Sequence, residues 1–152
     1  MVALLCVVFG LRVAAPPRLP ALTSATFHEA WNRWDEHAPA GYDIEVAVSG
    51  PQAATYRVQV RAGEVISATR NGFALKGYRT IGTWSVPGMF HTMEIDLDQL
   101  GRSEETATTN SQRLILSCQF DTALGYPAHY RRIEMGSRMQ VEWQVTSLTI
   151  ED

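Results

Sequence analysis

The chain has 152 residues, of which 45% are hydrophobic and 19% charged, with a formal net charge of −3. That length and balance describe one globular domain that buries a core without disulfide or metal, and they exclude a disordered chain. The acidic balance also excludes non-specific nucleic-acid binding, which needs a basic footprint.

The chain opens on an apolar run, Val2–Leu11, followed by Arg12 and a spacer holding Pro16, Pro17 and Pro20. A membrane-spanning helix needs about 20 such residues, whereas the length suits the apolar region of a signal peptide. No basic segment precedes it. Leu5 before Cys6 does not make a lipidation signal. Residues 1–23 therefore read as a truncated signal or anchor segment with a Pro-rich linker, and 24–152 as a single domain. The expected location is extracytoplasmic: periplasm, cell surface, secreted, or held by a single-pass anchor. The rival reading is a buried helix of a cytosolic domain.

A first helix follows, with Thr26 as N-cap and Glu29 completing a capping box. Phe27, Trp31 and Trp34 share one helical face, and residues 38–41 stop it. The period then changes to two. Tyr42, Ile44, Val46 and Val48 alternate with Asp43, Glu45 and Ala47, and Tyr56, Val58 and Val60 alternate with Arg57, Gln59 and Arg61. These are half-buried strands joined by a loop over 49–54. Across them the two acids can meet the two arginines. Residues 62–64 form a turn, and 65–70 form a third strand closed by Asn71-Gly72. Residues 73–84 read as irregular. Ser85 caps a second helix with Pro87 in its first turn. Met89, Phe90, Met93, Leu97 and Leu100 form its apolar stripe, Gly101 ends it, and 102–112 form a polar loop.

The strand 113–121 points Leu114, Leu116, Cys118 and Phe120 inward. Asp121–Tyr126 form a hairpin loop, with Gly125 available for a positive φ and Pro127 fixing the exit. The next strand, 128–135, pairs antiparallel with 113–121. In the last strand Val141, Trp143 and Val145 alternate, and the phase slips before Leu148, which predicts a β-bulge near Thr146-Ser147. The fold class is α+β: two layers, an antiparallel sheet of five to six strands with two helices on one face, in the order α-β-β-β-α-β-β-β. Domains of this order are PepSY-, cystatin- or lactamase-inhibitor-like by analogy.

The sequence holds little that announces chemistry. His28, His37, His91 and His129 are scattered without ligand spacing, and Cys6 and Cys118 lie in unrelated contexts, so no metal or cofactor is expected. There is no nucleophile elbow, P-loop or dinucleotide fingerprint. Asp96 with Asp98 is a pair of acids of the kind that sits solvated, and no catalytic residue is assigned. Two places suit binding. One is the open sheet face, carrying Asp43, Glu45, Arg57, Gln59, Arg61, Ser117, Gln119, Glu142 and Gln144. The other is the loop edge at Tyr126-Pro127 with His129 beside it. Tyr126, Pro127, His129, Arg57 and Arg61 are the candidate partner-binding residues.

Trp34, "YDIEVAVSG", "YRVQVRAGEVISA", "MFHTM", "CQFDTALGYP" and "WQVTSLTI" together resemble a family of bacterial extracytoplasmic domains of unknown function, often lipoproteins or membrane-anchored proteins. The similarity spans residues 26–150, and "FDTALGYP" is its most specific piece. Phe120 stands where that family often has Tyr. The resemblance implies location and fold class and carries no activity or site residues. The expected function is a non-enzymatic interaction or regulatory domain. The alternatives are a small-ligand carrier with a pocket between helices and sheet, or a small hydrolase. The expected partner is a protein or envelope ligand, with no nucleic acid, membrane contact only through the N-terminal segment, and a monomeric state.

Overall fold

A computed structural model describes residues 18–105, 113–137 and 139–151. The apolar run Val2–Leu11 and Cys6 lie outside them, as does 106–112 of the expected polar loop. Helix α1 (Ser24–His37) leads into strands β1 (Tyr42–Ser49), β2 (Ala54–Arg61), β3 (Glu64–Arg70) and β4 (Phe73–Ala74). A single helical turn α2 (Tyr78–Ile81) and the long helix α3 (Val86–Glu105) follow, then β5 (Leu114–Phe120), β6 (Pro127–Glu134) and β7 (Gln140–Ile150). All strand pairs are antiparallel, in one seven-stranded sheet of order β4-β3-β2-β1-β7-β6-β5.

The fold class is therefore α+β with one antiparallel sheet, but the expected five to six strands become seven. The extra strand comes from Asn71-Gly72, whose residues both have positive φ (50° and 84°). That is the backbone of a tight hairpin turn, so the chain does not end its pairing there. It folds back and pairs Phe73 with Arg70 and Ala74 with Thr69. The sheet also closes differently from a simple meander: the last described strand, β7, lies inside the sheet, between β1 and β6.

Two helix ends differ from the sequence reading. The cap of α1 is Thr23, not Thr26: the Thr23 hydroxyl accepts from the Thr26 N–H at 3.2 Å, and the Thr26 hydroxyl accepts from the Thr23 N–H at 3.1 Å. Threonine thus fills the reciprocal role that glutamate usually takes, and Glu29 ion-pairs with Arg33 at 2.9 Å instead. Helix α3 runs through Gly101 to Glu105. Gly101 lacks the left-handed φ that would make it a cap. At the other end of α3 the expectation holds. The Ser85 hydroxyl accepts from the Gly88 N–H, and Pro87 occupies the first turn.

The core lies between the helices and one face of the sheet. Phe27, Ala30 and Trp34 of α1 and Val86, Met89, Phe90 and Met93 of α3 bury themselves there. They meet Tyr42, Ile44, Val46 and Val48 of β1, the inward residues of β2 and β5, Tyr130 and Trp143. Edge-to-face contacts join Phe27 to Phe90 and Trp34 to Tyr42, each with ring centroids 5.5 Å apart. Such pairs add about 0.5–1.5 kcal/mol beyond the burial itself.

The two sheet edges are treated differently. At β5 the segment before α1 closes the edge: Ala21 bridges Ser117, the Leu22 N–H donates to Leu116 O, and the Cys118 N–H donates to Pro20 O, both at 3.0 Å. Residues 20–22 thus share one body with the helix that follows. At the other edge β4 is only two residues long, and Phe73 stands 79% exposed. Short edges limit strand-to-strand aggregation.

Candidate functional site

The alternation that buries Tyr42, Ile44 and Val46 sends Asp43 and Glu45 to the opposite face, which no helix among the described residues covers. The register then sets their neighbours. Glu45 stands beside Arg57 on β2 and Ser147 on β7, and Asp43 beside Gln59 and Thr149. On β3, Thr69 faces Arg57 and Ser67 faces Gln59. These eight residues line a shallow trough of about 310 Å³ across β7, β1, β2 and β3.

The acids of the trough are held by arginines, as the cross-strand reading expects. The Arg57 Nε donates to Glu45 at 2.5 Å, and Arg61 donates to Asp43 at 2.7 Å and pairs also with Glu151. A bulge between the partners of Glu45 and Val46 leaves Thr146 without a partner of its own on β1. Its hydroxyl reaches the Glu45 carboxylate at 2.8 Å. The predicted phase slip is thus the device that gives Glu45 its second donor. The arginine hydrogen bonds hold both carboxyls below their ordinary range, helped by Thr146 at Glu45 and by Gln59 at Asp43.

A second polar cluster lies on the same face beyond β7. The Glu142 carboxylate accepts from Arg131 at 3.0 Å (Oε2) and 3.2 Å (Oε1), and the His129 Nε2 lies 2.5 Å from the same Oε1. Arg131 lowers the Glu142 pKa, partial burial opposes it, and His129 adds to the lowering. Glu142 faces away from the core as expected, but it is half-buried rather than freely solvated.

The corner after β5 is built as a turn. The Asp121 carboxylate accepts from the N–H groups of Ala123 (3.0 Å) and Leu124 (2.7 Å), and the Gly125 N–H donates to Asp121 O. Gly125 has φ +84°, and a Cβ there would lie 2.5 Å from the Ala30 carbonyl of α1. The corner is thereby pressed against the helix. β5 and β6 pair antiparallel from Leu114–Glu134 to Phe120–Pro127, as the sequence requires.

Of the five candidate binding residues, Arg57 and Arg61 belong to the trough side of the open face, and His129 to the Glu142 cluster. Pro127 is fully buried, and Tyr126 is half-buried against the core with its phenol pKa raised by burial and by the Asp121 charge. The corner pair is therefore separated from the other three.

The reading of Asp96 as solvated is corrected. It is only 9% exposed, accepts from the Tyr130 hydroxyl at 2.6 Å, and accepts from Arg132 Nε at 3.1 Å. The signal was present: Asp96 is seven residues after Met89 and three after Met93, hence on the buried stripe. Burial, then the Asp96 charge, drives the Tyr130 pKa far upward. Burial alone does the same to the Cys118 thiol, which leaves it a poor nucleophile.

Among the described residues no group of three or more His, Cys, Asp or Glu could hold a metal ion, and no helix is long and apolar enough to cross a membrane. Scans of the chain against protein-family models and against curated proteins return no match.

Proposed function

We propose that this is a non-enzymatic extracytoplasmic interaction domain, released or membrane-anchored through its N-terminal segment, with the open sheet face as its contact surface. The observation that carries this reading is the contrast between the two faces. The helix side is filled with apolar side chains, while the other side presents an ordered array of ion pairs and hydroxyls that no other described element covers. The resemblance to extracytoplasmic domains of unknown function supports the location.

A hydrolase needs a desolvated acid or base beside a nucleophile, opening onto a cleft. The described residue that comes nearest is Asp96 beside the Tyr130 hydroxyl, and that pair is sealed in the core. One observation favours a carrier instead. An apolar groove of about 230 Å³ lies against Val48, Tyr56, Trp84, Met139 and Val141. Next to it the buried Trp143, in edge contact with Trp84, has an indole N–H without a partner.

The test has two parts. Fractionation of cells expressing the full chain should place it outside the cytoplasm. Partners captured from native envelope should be lost on Arg57→Glu with Arg131→Glu, and kept on exposed α1 substitutions such as Glu29→Gln. Cytoplasmic retention, or turnover of a defined substrate by a protein that captures nothing, would reverse the reading.

A further inference from the structure

We propose that the trough binds a neutral oligosaccharide, laid across the strands. This rests on the reading of the open face as the contact surface and names what it contacts.

The register arranges the trough as two parallel rows. One runs Ser147, Glu45, Arg57, Thr69; the other runs Thr149, Asp43, Gln59, Ser67. Each row is a carboxylate and a nitrogen donor at the centre with a hydroxyl at either end. Neighbouring strands lie about 4.8 Å apart and alternate residues about 7 Å apart, so the array spans roughly 14 Å by 7 Å. That is the footprint of a short run of linked sugar rings.

Charge excludes the obvious alternatives. Glu45 is matched by Arg57, and Asp43 by Arg61, which also holds Glu151. An anion arriving at Arg57 meets Glu45 and Asp43, and a cation arriving at the acids meets Arg57 and Arg61. Backbone recognition of an extended peptide needs a free strand edge. Here the β1 and β2 backbones at the centre of the trough are flanked by strands on both sides. An apolar side chain needs an apolar pocket, and Ile44 and Val58 are buried beneath the trough floor.

What the trough offers is hydrogen-bonding capacity in both senses. Among the described residues the hydroxyls of Ser67, Thr69, Ser147 and Thr149 have no protein partner, and all four line the trough. Arg57 commits only its Nε and is 70% exposed, so its two terminal amino groups remain available. Gln59 commits its amide nitrogen to Asp43 and keeps its carbonyl oxygen. Each bound carboxylate retains lone pairs beyond those its partners use. A sugar hydroxyl both donates and accepts, and this alternation of donors and acceptors suits a row of them. The arginine and Thr146 bonds hold the central carboxylates in place, which lowers the ordering cost on binding. No aromatic ring lines the trough, so binding is weak and exchanges fast.

The experiment is a two-dimensional amide NMR titration of the folded chain with tetrasaccharides: β-linked glucose, α-linked glucose and β-linked N-acetylglucosamine. At least one should give saturable shifts confined to residues 43–45, 57–59, 67–69 and 147–149. Ser67→Ala with Thr149→Ala, which leaves both ion pairs intact, should weaken binding about tenfold or more. Ser117→Ala with Gln119→Ala, elsewhere on the same face, should leave it unchanged, and the spectrum of each variant reports whether it is folded. No saturable shift with any tetrasaccharide overturns the proposal, as do shifts indifferent to the trough variants or saturable binding only to a polyanion or polycation. If glycans fail while Arg57→Glu with Arg131→Glu still abolishes envelope capture, only the ligand assignment falls. If that variant captures normally as well, the contact surface falls with it.

Discussion

Asp96 and Glu45 have the same two kinds of partner on opposite sides of the sheet. Each carboxylate accepts from an arginine Nε and from a hydroxyl: Arg132 and Tyr130 for Asp96, Arg57 and Thr146 for Glu45. The chemistry is the same and the surroundings are not. Asp96 and Arg132 have side chains only 12% and 18% exposed, whereas Arg57 is 70% exposed. In the first case the partners must satisfy each other because water cannot. In the second they compete with water at every moment. An ion pair's worth to the fold is set by the solvent it excludes, and an exposed pair keeps its partners available for a ligand.

Five variants would break or sharpen this contrast. Asp96→Ala leaves the buried Tyr130 hydroxyl without its acceptor and takes one partner from Arg132, which keeps Gln99 at 3.4 Å and Glu134 at 3.6 Å, and should destabilise the fold by about 3 kcal/mol, read by urea unfolding. A loss below about 1 kcal/mol would put Asp96 in the same class as a surface acid. Tyr130→Phe removes one donor while Arg132 still holds the carboxylate, so a loss of about 1–3 kcal/mol is expected from the same measurement. Glu142, half-buried between Arg131 and His129, should fall between the two extremes. Glu142→Gln is expected to cost about 1 kcal/mol or less, with part of that cost disappearing in high salt.

Glu45→Gln should leave the unfolding midpoint unchanged at high salt. Its signature lies in acid. The folded pKa values of Asp43, Glu45 and Glu142 are lowered, so their contribution is present above the ordinary carboxylate pKa of about 4 and is lost as pH falls through the folded values. Unfolding midpoints compared at neutral pH and near pH 3 should therefore drop in the parent chain, and drop less in Asp43→Asn with Glu45→Gln. An equal drop in both chains would show that these carboxyls carry none of the pH dependence.

The sequence discloses faces more readily than neighbours. Alternation in Tyr42–Val48 and Tyr56–Val60 was enough to separate core from open face, and it brought Asp43 and Glu45 within reach of Arg61 and Arg57 because a short loop forces adjacent pairing. The slip before Leu148 was legible as a bulge for the same reason: a period of two cannot absorb an odd residue. The insertion of β7 beside β1 left no such mark, since nothing in a strand's pattern names a partner a hundred residues away. β4 is two residues long, too short to show any period. Gly101 reads as a stop, yet glycine only permits a left-handed cap, and the helix simply continues through it. Asp96 was misread from its charge, when its place on the Met89–Met93 stripe would have placed it inside.

β7 is the last of the described strands to be made, yet it lies inside the sheet, next to the central strand β1. As the chain emerges from the ribosome, β1 to β4 and then β5 to β6 can form hairpins, but β1 and β6 each lack their shared neighbour until residues 140–150 appear. The Glu151 contacts that tie this strand to Gly41 and Arg61 come later still. Synthesis and folding are thus out of step: the sheet closes only by a contact between its earliest and latest strands, and such distant closures are slow. A nascent chain of this design keeps its sheet open until residues 140–150 join it. That is the state in which a polypeptide is threaded across a membrane, as the proposed export requires.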